Sequence, residues 1–301
     1  MTLGALIFAA VTVVFPPEAA KLPALARCYV MGAADAGERS LGLWCPMTEA
    51  TNVVSVGRTG AWAAVVEVVP GTNVVEIGGV RRTFVVEPPG VGGQASVTKR
   101  YQKLEYAADQ AKPHPAGRKP EEITIVLDAG HGGDDSGALS PHGLPEKDAN
   151  LRLARDVRRA LERRGFRVVM TRDDDLFVAL YDRPKVAHAS EADAFISIHH
   201  NAPGYETNPL RCRFQAVYAW NALGERMAEA ISAHMAAARP EVESRGVIHA
   251  NFAVTRNPEI PSCLIEADFV THPDGEAAAW CVETRARLAE AIAEGVVQWL
   301  D

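Results

Sequence analysis

The sequence predicts an α/β domain, a mostly parallel twisted sheet flanked by helices, preceded by a small all-β sandwich. Three observations predict it. From about residue 11 to 87 the chain is a series of short Val-rich and aromatic segments broken by Gly, Pro and Asn, the punctuation of an all-β unit. From "ITIVLDAG" at Ile123 onward, strand-like runs alternate with stretches of helical periodicity, the order that builds a sheet covered by helices. The 301 residues, 48% of them hydrophobic, supply enough apolar surface for two cores.

Taken in order, the first element is the apolar run "LGALIFAAVTVVF" at positions 3–15. It is shorter than the ~20 residues a membrane-spanning helix needs, and it lacks the positive flank and clear cleavage site of a secretory signal. Its second half, "VTVVF", has strand character, so the stretch reads either as a trimmed or misassigned start or as a degenerate signal fused to the first strand. "RCYVMGAA", "NVVSVG", "AWAAVVEVV", "NVVEIGG" and "RRTFVVEP" read as strands of an immunoglobulin-like sandwich over residues 1–87. "VPGTNVVEI" places a Pro-Gly-Thr-Asn turn between two of them. Residues 88–121, rich in Pro, Gly and Lys, read as a linker with a short docked piece around Leu104 and Tyr106.

The remaining residues, 122–301, form the α/β domain. "ITIVLDA" is a continuous apolar run, as in a strand buried on both faces. Residues 147–164 place Leu151, Ala154, Val157 and Leu161 on one side of a helix that Gly165 closes. Strand "FRVVMT", a helix over Arg183 to Ala189, strands "DAFISIH" and "FQAVYAW", a helix from about 222 to 238, strand "SCLIEAD" and a helix from Thr284 to Leu300 follow.

Composition excludes some functions. A net charge of −7 does not supply the basic face that phosphate backbones need, so no nucleic-acid partner is expected. "RLARDVRRALERRGFR" is interrupted by Asp156 and Glu162 and reads as a solvated helix face. The five cysteines show no CxxC spacing. Cys28 and Cys45 either pair in an oxidising compartment or stay as separate buried thiols.

Ligands gather beyond the carboxyl ends of the strands in such a sheet. Three strands end in polar residues there: "IVLDAGH" delivers His131, "AFISIH" delivers His199 and "SCLIEAD" delivers Glu266. A fourth candidate, Glu146 in "HGLPEKDAN", opens the basic helix. Two imidazoles and one carboxylate are the ligand set of a catalytic zinc site with one open position. Glu266 is then free to act as general base and acid on an amide. Asp128 either orients His131 or caps its strand. Arg172 and Arg183 either bind peptide carboxylates or pair at the surface or between helices. His200 lies on the opposite face of its strand from His199, where it either lines the groove or simply packs. His142, His188, His249 and His272 read as loop or helix residues without ligand spacing, and Asn201 and Asn251 as possible substrate contacts.

The motifs "LDAGHGGDDSGA", "EKDANLRLARDVRRALERRGFRVVMTR", "FISIHHNA", "RGVIHANFAVTR" and "IPSCLIEADFVTHPDGE" occur in that order over residues 123–300. Together they resemble the zinc-dependent N-acetylmuramoyl-L-alanine amidases, cell-wall hydrolases of the amidase-3 type. The resemblance implies that His131, Glu146 and His199 bind Zn2+ and that Glu266 is the catalytic carboxylate. It implies cleavage of the amide between N-acetylmuramic acid and L-alanine in peptidoglycan, in the cell envelope, periplasmic or secreted. The alternatives are an amidase acting on soluble muropeptides or another amide, and a non-catalytic wall-binding protein. The N-terminal sandwich would contact peptidoglycan, an envelope protein or its own catalytic domain, or serve as an inert spacer. "NAPGYETNPLRCRF" is short where regulated members insert a helix that blocks the zinc site, so a site open without an activator is expected.

Overall fold

The computed structural model describes residues 11–35, 37–89, 114–257 and 259–301. The first part of the apolar start and the expected docked piece at Leu104 and Tyr106 lie outside the described residues.

The N-terminal unit consists of β1 (Thr12–Phe15), β2 (Lys21–Leu22), β3 (Arg27–Ala33), β4 (Ser40–Cys45), β5 (Ala50–Ser55), β6 (Ala61–Glu67), β7 (Gly71–Ile77) and β8 (Val80–Val86). They form two sheets, β1-β3-β6 and β2-β8-β7-β4-β5. Cys28, Val30, Leu41, Leu43, Trp62, Val75 and Phe84 fill the space between them, so the all-β expectation holds. Strand β4 was not expected, because "SLGLWC" is built from Leu and Gly rather than β-branched residues. It nevertheless alternates strictly, with Leu41, Leu43 and Cys45 buried. The turn ahead of β7 is a crossing between the sheets, not a hairpin, since β6 and β7 belong to different sheets. Buried Asn73 ties it, accepting from Val69 N at 3.0 Å and donating to Val69 O at 2.7 Å. Cys28 and Cys45 are both free and buried, and burial pushes the Cys28 thiol up to about 12.

The second unit comprises β9 (Thr124–Ala129), α1 (Glu146–Glu162), β10 (Arg167–Met170), α2 (Arg183–Ala189), β11 (Ala194–Asn201), β12 (Gln215–Ala219), α3 (Ala222–Ala238), β13 (Ser244–His249), β14 (Ser262–Phe269), α4 (Pro273–Trp280) and α5 (Val282–Leu300). Its sheet runs β10-β9-β11-β14-β12-β13 and is parallel except between β12 and β14. Alternation along β9 explains its all-apolar sequence. Ile125, Leu127 and Ala129 face α1, α3 and α5, packing with Val157, Ile231, Ile292 and Trp299. Val126 faces the other side with Phe195, Leu264, Ala187 and Val254. Ahead of this unit, residues from His114 on already rest on it: the His114 ring meets Trp299 O at 2.9 Å, and Arg118 reaches Asp193 Oδ1 at 2.6 Å. Among the described residues no helix is long and apolar enough to cross a membrane.

The order β9-β11-β14 positions the site. Three parallel strands lie side by side and deliver their carboxyl ends to one rim.

Candidate metal centre and active site

The chain turns sharply after β9. His131 adopts φ +61, the left-handed region that costs a β-carbon residue free energy, and Gly132 and Gly133 follow with positive φ. The turn sends the His131 ring back over the rim. There, ligand atoms of His131, Glu146 and His199 all lie within 4.8 Å of one another. Glu146 Oε1 is the centre of the group, 3.3 Å from His131 Nε2 and 3.0 Å from His199 Nδ1.

Glu146 is buried at the first turn of α1 and held from several directions. Its Oε2 accepts from Ala138 N at 3.0 Å, and its Oε1 from Asn150 Nδ2 at 3.1 Å and from His200 N at 3.2 Å. Burial alone would raise the Glu146 pKa. The hydrogen bonds and charge of His131 and His199 reverse that and hold it well below the usual carboxylate range. Burial likewise opposes the charged form of His131, but Glu146 and Asp135 outweigh it and carry the ring up to about 9. Asp135 Oδ2 sits 2.8 Å from His131 Nδ1, leaving Nε2 toward the cluster. This is the orientation that metal-bound histidines need.

Asp135 and Asn150 were not singled out in the sequence. Both carried a signal: each lies four residues after a cluster member, and in α1 that spacing puts Asn150 on the same face as Glu146. Asn150 accepts from His200 Nδ1 at 2.9 Å, so His200 does not face the cluster. Burial drives its pKa down to about 4, keeping it neutral.

Glu266 stands opposite His199 in the β11–β14 register, half-buried, and parallel partners in register share a face. Asp128 does not touch His131. It is fully buried and bonded to Arg183, Thr171 and Ser197. Arg172 and Arg183 are buried too and donate to the carbonyls of Ala129, Gly130 and His131. His249 lies on strand β13 rather than in a loop or helix, 3.0 Å from Glu225, level with Cys263 and away from Glu266. Asn251 is exposed beyond that strand, Asn201 ends β11 near the cluster, and His272 caps α4. The loop from β11 to β12 contains one short 3-10 turn, Pro209–Arg211, and no α-helix.

Residues 125–298 match the sequence signature of the N-acetylmuramoyl-L-alanine amidases of the amidase-3 type. The chain belongs to this family. The Escherichia coli (strain K12) amidase AmiA is 29% identical over 260 residues, spanning 70% of this chain and 88% of AmiA. AmiC of Neisseria meningitidis is 30% identical over 283 residues, 75% of this chain and 67% of that one. Among solved structures, AmiC2 of Nostoc punctiforme superimposes with a TM-score of 0.56 at 35% identity, covering 60% of this chain and 97% of that one. The catalytic domain of CwlV from Bacillus (Paenibacillus) polymyxa gives 0.56 at 32% identity, covering 60% and 98%. The amidase is therefore a hydrolase with the fold of these catalytic domains. Its His131, Glu146 and His199 are chemically suited to a divalent metal, offering two imidazole nitrogens and one carboxylate kept ionised.

Proposed function

We propose that this amidase hydrolyses the amide joining the lactyl group of N-acetylmuramic acid to L-alanine in peptidoglycan, with zinc held by His131, Glu146 and His199 and with Glu266 as general base and acid. The convergence of those three side chains within 4.8 Å is the observation that carries the reading. When bound, zinc supplies Lewis acidity, polarising the scissile carbonyl and acidifying water. Glu266, beside His199, takes the proton of the attacking water on its carboxylate and returns it to the departing alanine nitrogen. Asp135 and Asn150 hold their partners in register for that task.

The rim between β10 and α2 exposes Leu176, Phe177, Leu180 and Tyr181. Phe177 packs against Gly133, two residues from His131, and offers an apolar face to a sugar ring of the glycan strand. The absence of an α-helix between β11 and β12 supports a site that works without an activator. The substrate places the protein in the envelope, periplasmic or secreted.

Metal analysis of the wild-type protein beside Glu266→Gln tests the reading. Zinc is expected in both, with turnover of muropeptide lower by about 10²–10⁴-fold in the variant. A wild type without bound metal removes the cluster from the reaction, and a fully active variant removes Glu266.

A further inference from the structure

The face of the β1-β3-β6 sheet turned away from the sandwich core carries Tyr29, Met31 and Ala63, and these are 5%, 0% and 8% exposed. In a free sandwich that face would meet water. Leu210, from the loop between β11 and β12, packs on it instead. Phe15 lies between the two units, its ring 4.4 Å from that of Tyr29 and 5.9 Å from that of Tyr205, the latter stacked within 15°.

The sheet edge is completed from the same loop. Strand β1 pairs with β3 only as far as Phe15 and Met31. Beyond that point the Tyr29 amide donates to Tyr205 O at 2.7 Å, so the loop continues where β1 stops and satisfies a main-chain donor.

A second grip lies on the loop that leads into Glu146. His142 Nε2 meets Thr59 O of the sandwich at 3.1 Å, while its Nδ1 meets Glu276 Oε2 at 2.7 Å. Glu276 in turn accepts from buried Ser140 Oγ at 2.5 Å, and Ser140 Oγ accepts from Leu144 N at 2.9 Å. That network fixes the segment whose Ala138 amide donates to Glu146. Both loops that flank the cluster, one entering at Glu146 and one leaving after His199, are thus held from the same side.

We propose that the N-terminal sandwich is a docked wall of the active site, which braces these two loops through Tyr29, Phe15 and Thr59, and is not a freely swinging module. The bracing role at the cluster rests on the hydrolase reading above, while the docking does not depend on it. A site-specific protease sequence placed within residues 90–113 of the full chain, and cut after purification, gives the test. The two fragments are expected to elute together on gel filtration. With Leu210→Asp and Tyr205→Ala the cut fragments are expected to part. Amide hydrogen exchange should then quicken at residues 137–144 and 202–212 but not in α3 or α5, and kcat on a small muropeptide should fall by about tenfold or more. Fragments that part without the substitutions overturn the proposal. So does a released catalytic fragment with unchanged exchange and full turnover. Elution and exchange need no substrate, so failure of the hydrolase reading would leave both of those results interpretable.

Discussion

The imidazole of His199 rests on the backbone of Gly130: a Cβ built at position 130 lies 2.2 Å from both Cε1 and Nε2 of the ring. Real contacts stay beyond 3.0 Å, and the ring sits on a central strand that cannot swing aside. No positive φ is involved at Gly130, so alanine is tolerated by the backbone and only the ring is displaced. Gly130→Ala is expected to lower turnover by about 100-fold and to weaken metal binding, with a smaller effect on melting. Zinc titration and kcat/KM on the same preparation check it, and normal values of both would refute the packing argument.

Asn150 spans two buried polar groups. It donates to Glu146 Oε1 and accepts from His200 Nδ1. In Asn150→Ala both lose that partner, and the carboxylate gains freedom to rotate. We expect zinc affinity to drop by about 10–100-fold, as for other residues that orient metal ligands. Competition against a chromophoric chelator measures it, and a melt of the metal-free protein separates lost affinity from lost fold.

Glu146 and Asp135 outweigh burial and carry the metal-free His131 pKa up to about 9. Near neutral pH that ring is protonated, so a metal must expel its proton to bind. Calorimetric heats of zinc binding are expected to vary with the ionisation enthalpy of the buffer, reporting release of about one proton from this group. Affinity should rise with pH and level off near 9. The same raised pKa stabilises the metal-free fold fully below the ordinary histidine value of 6.5 and ceases to do so as pH climbs through about 9. Binding heats independent of buffer at neutral pH would contradict the assignment.

Phe177 is 62% exposed beside the cluster, so Phe177→Ala removes contact surface without opening the core. If it faces the glycan, KM for intact sacculi should increase severalfold (about 1–2 kcal/mol, the worth of a large apolar contact) while kcat on a small peptide-bearing fragment stays put. An unchanged KM would assign the patch to something else.

These cases show which parts of the molecule local sequence specifies. β9, β11 and β14 are legible because strands buried on both faces are continuous apolar runs, and the polar residues toward or just beyond their carboxyl ends, His131, His199 and Glu266, mark the rim. α1 is legible from Leu151, Ala154, Val157 and Leu161. β13 was missed because Gly246, at φ +64, interrupts its pattern. α4 was missed because "HPDGE" reads as a turn, although Pro273 is suited to a first helical position. The partners of His131 depend on its turn. With φ +61 and the short bridge between Gly132 and Asp135, it is Asp135, and not Asp128 three residues before His131, that reaches the ring.

Arg183 decides between two uses of a buried cation. Its Nη1 lies 2.8 Å from Asp128 Oδ1 and 3.0 Å from Ala129 O, and its Nη2 lies 2.9 Å from His131 O. The side chains of the pair are 5% and 0% exposed, so no substrate carboxylate reaches the guanidinium without displacing Asp128. Its work is to fix the carbonyls of the turn that aims His131. Arg183→Gln leaves Asp128 buried without its counter-charge, a change that typically costs about 3–5 kcal/mol. Thermal and denaturant unfolding should show that loss, and the Asp128→Asn, Arg183→Gln double variant should recover part of it, since removing both charges relieves the uncompensated one. In the folded fraction KM should stay near the wild-type value while kcat falls with the misplaced His131. A variant that keeps its stability but loses affinity for substrate would reverse this assignment and make Arg183 a binding residue.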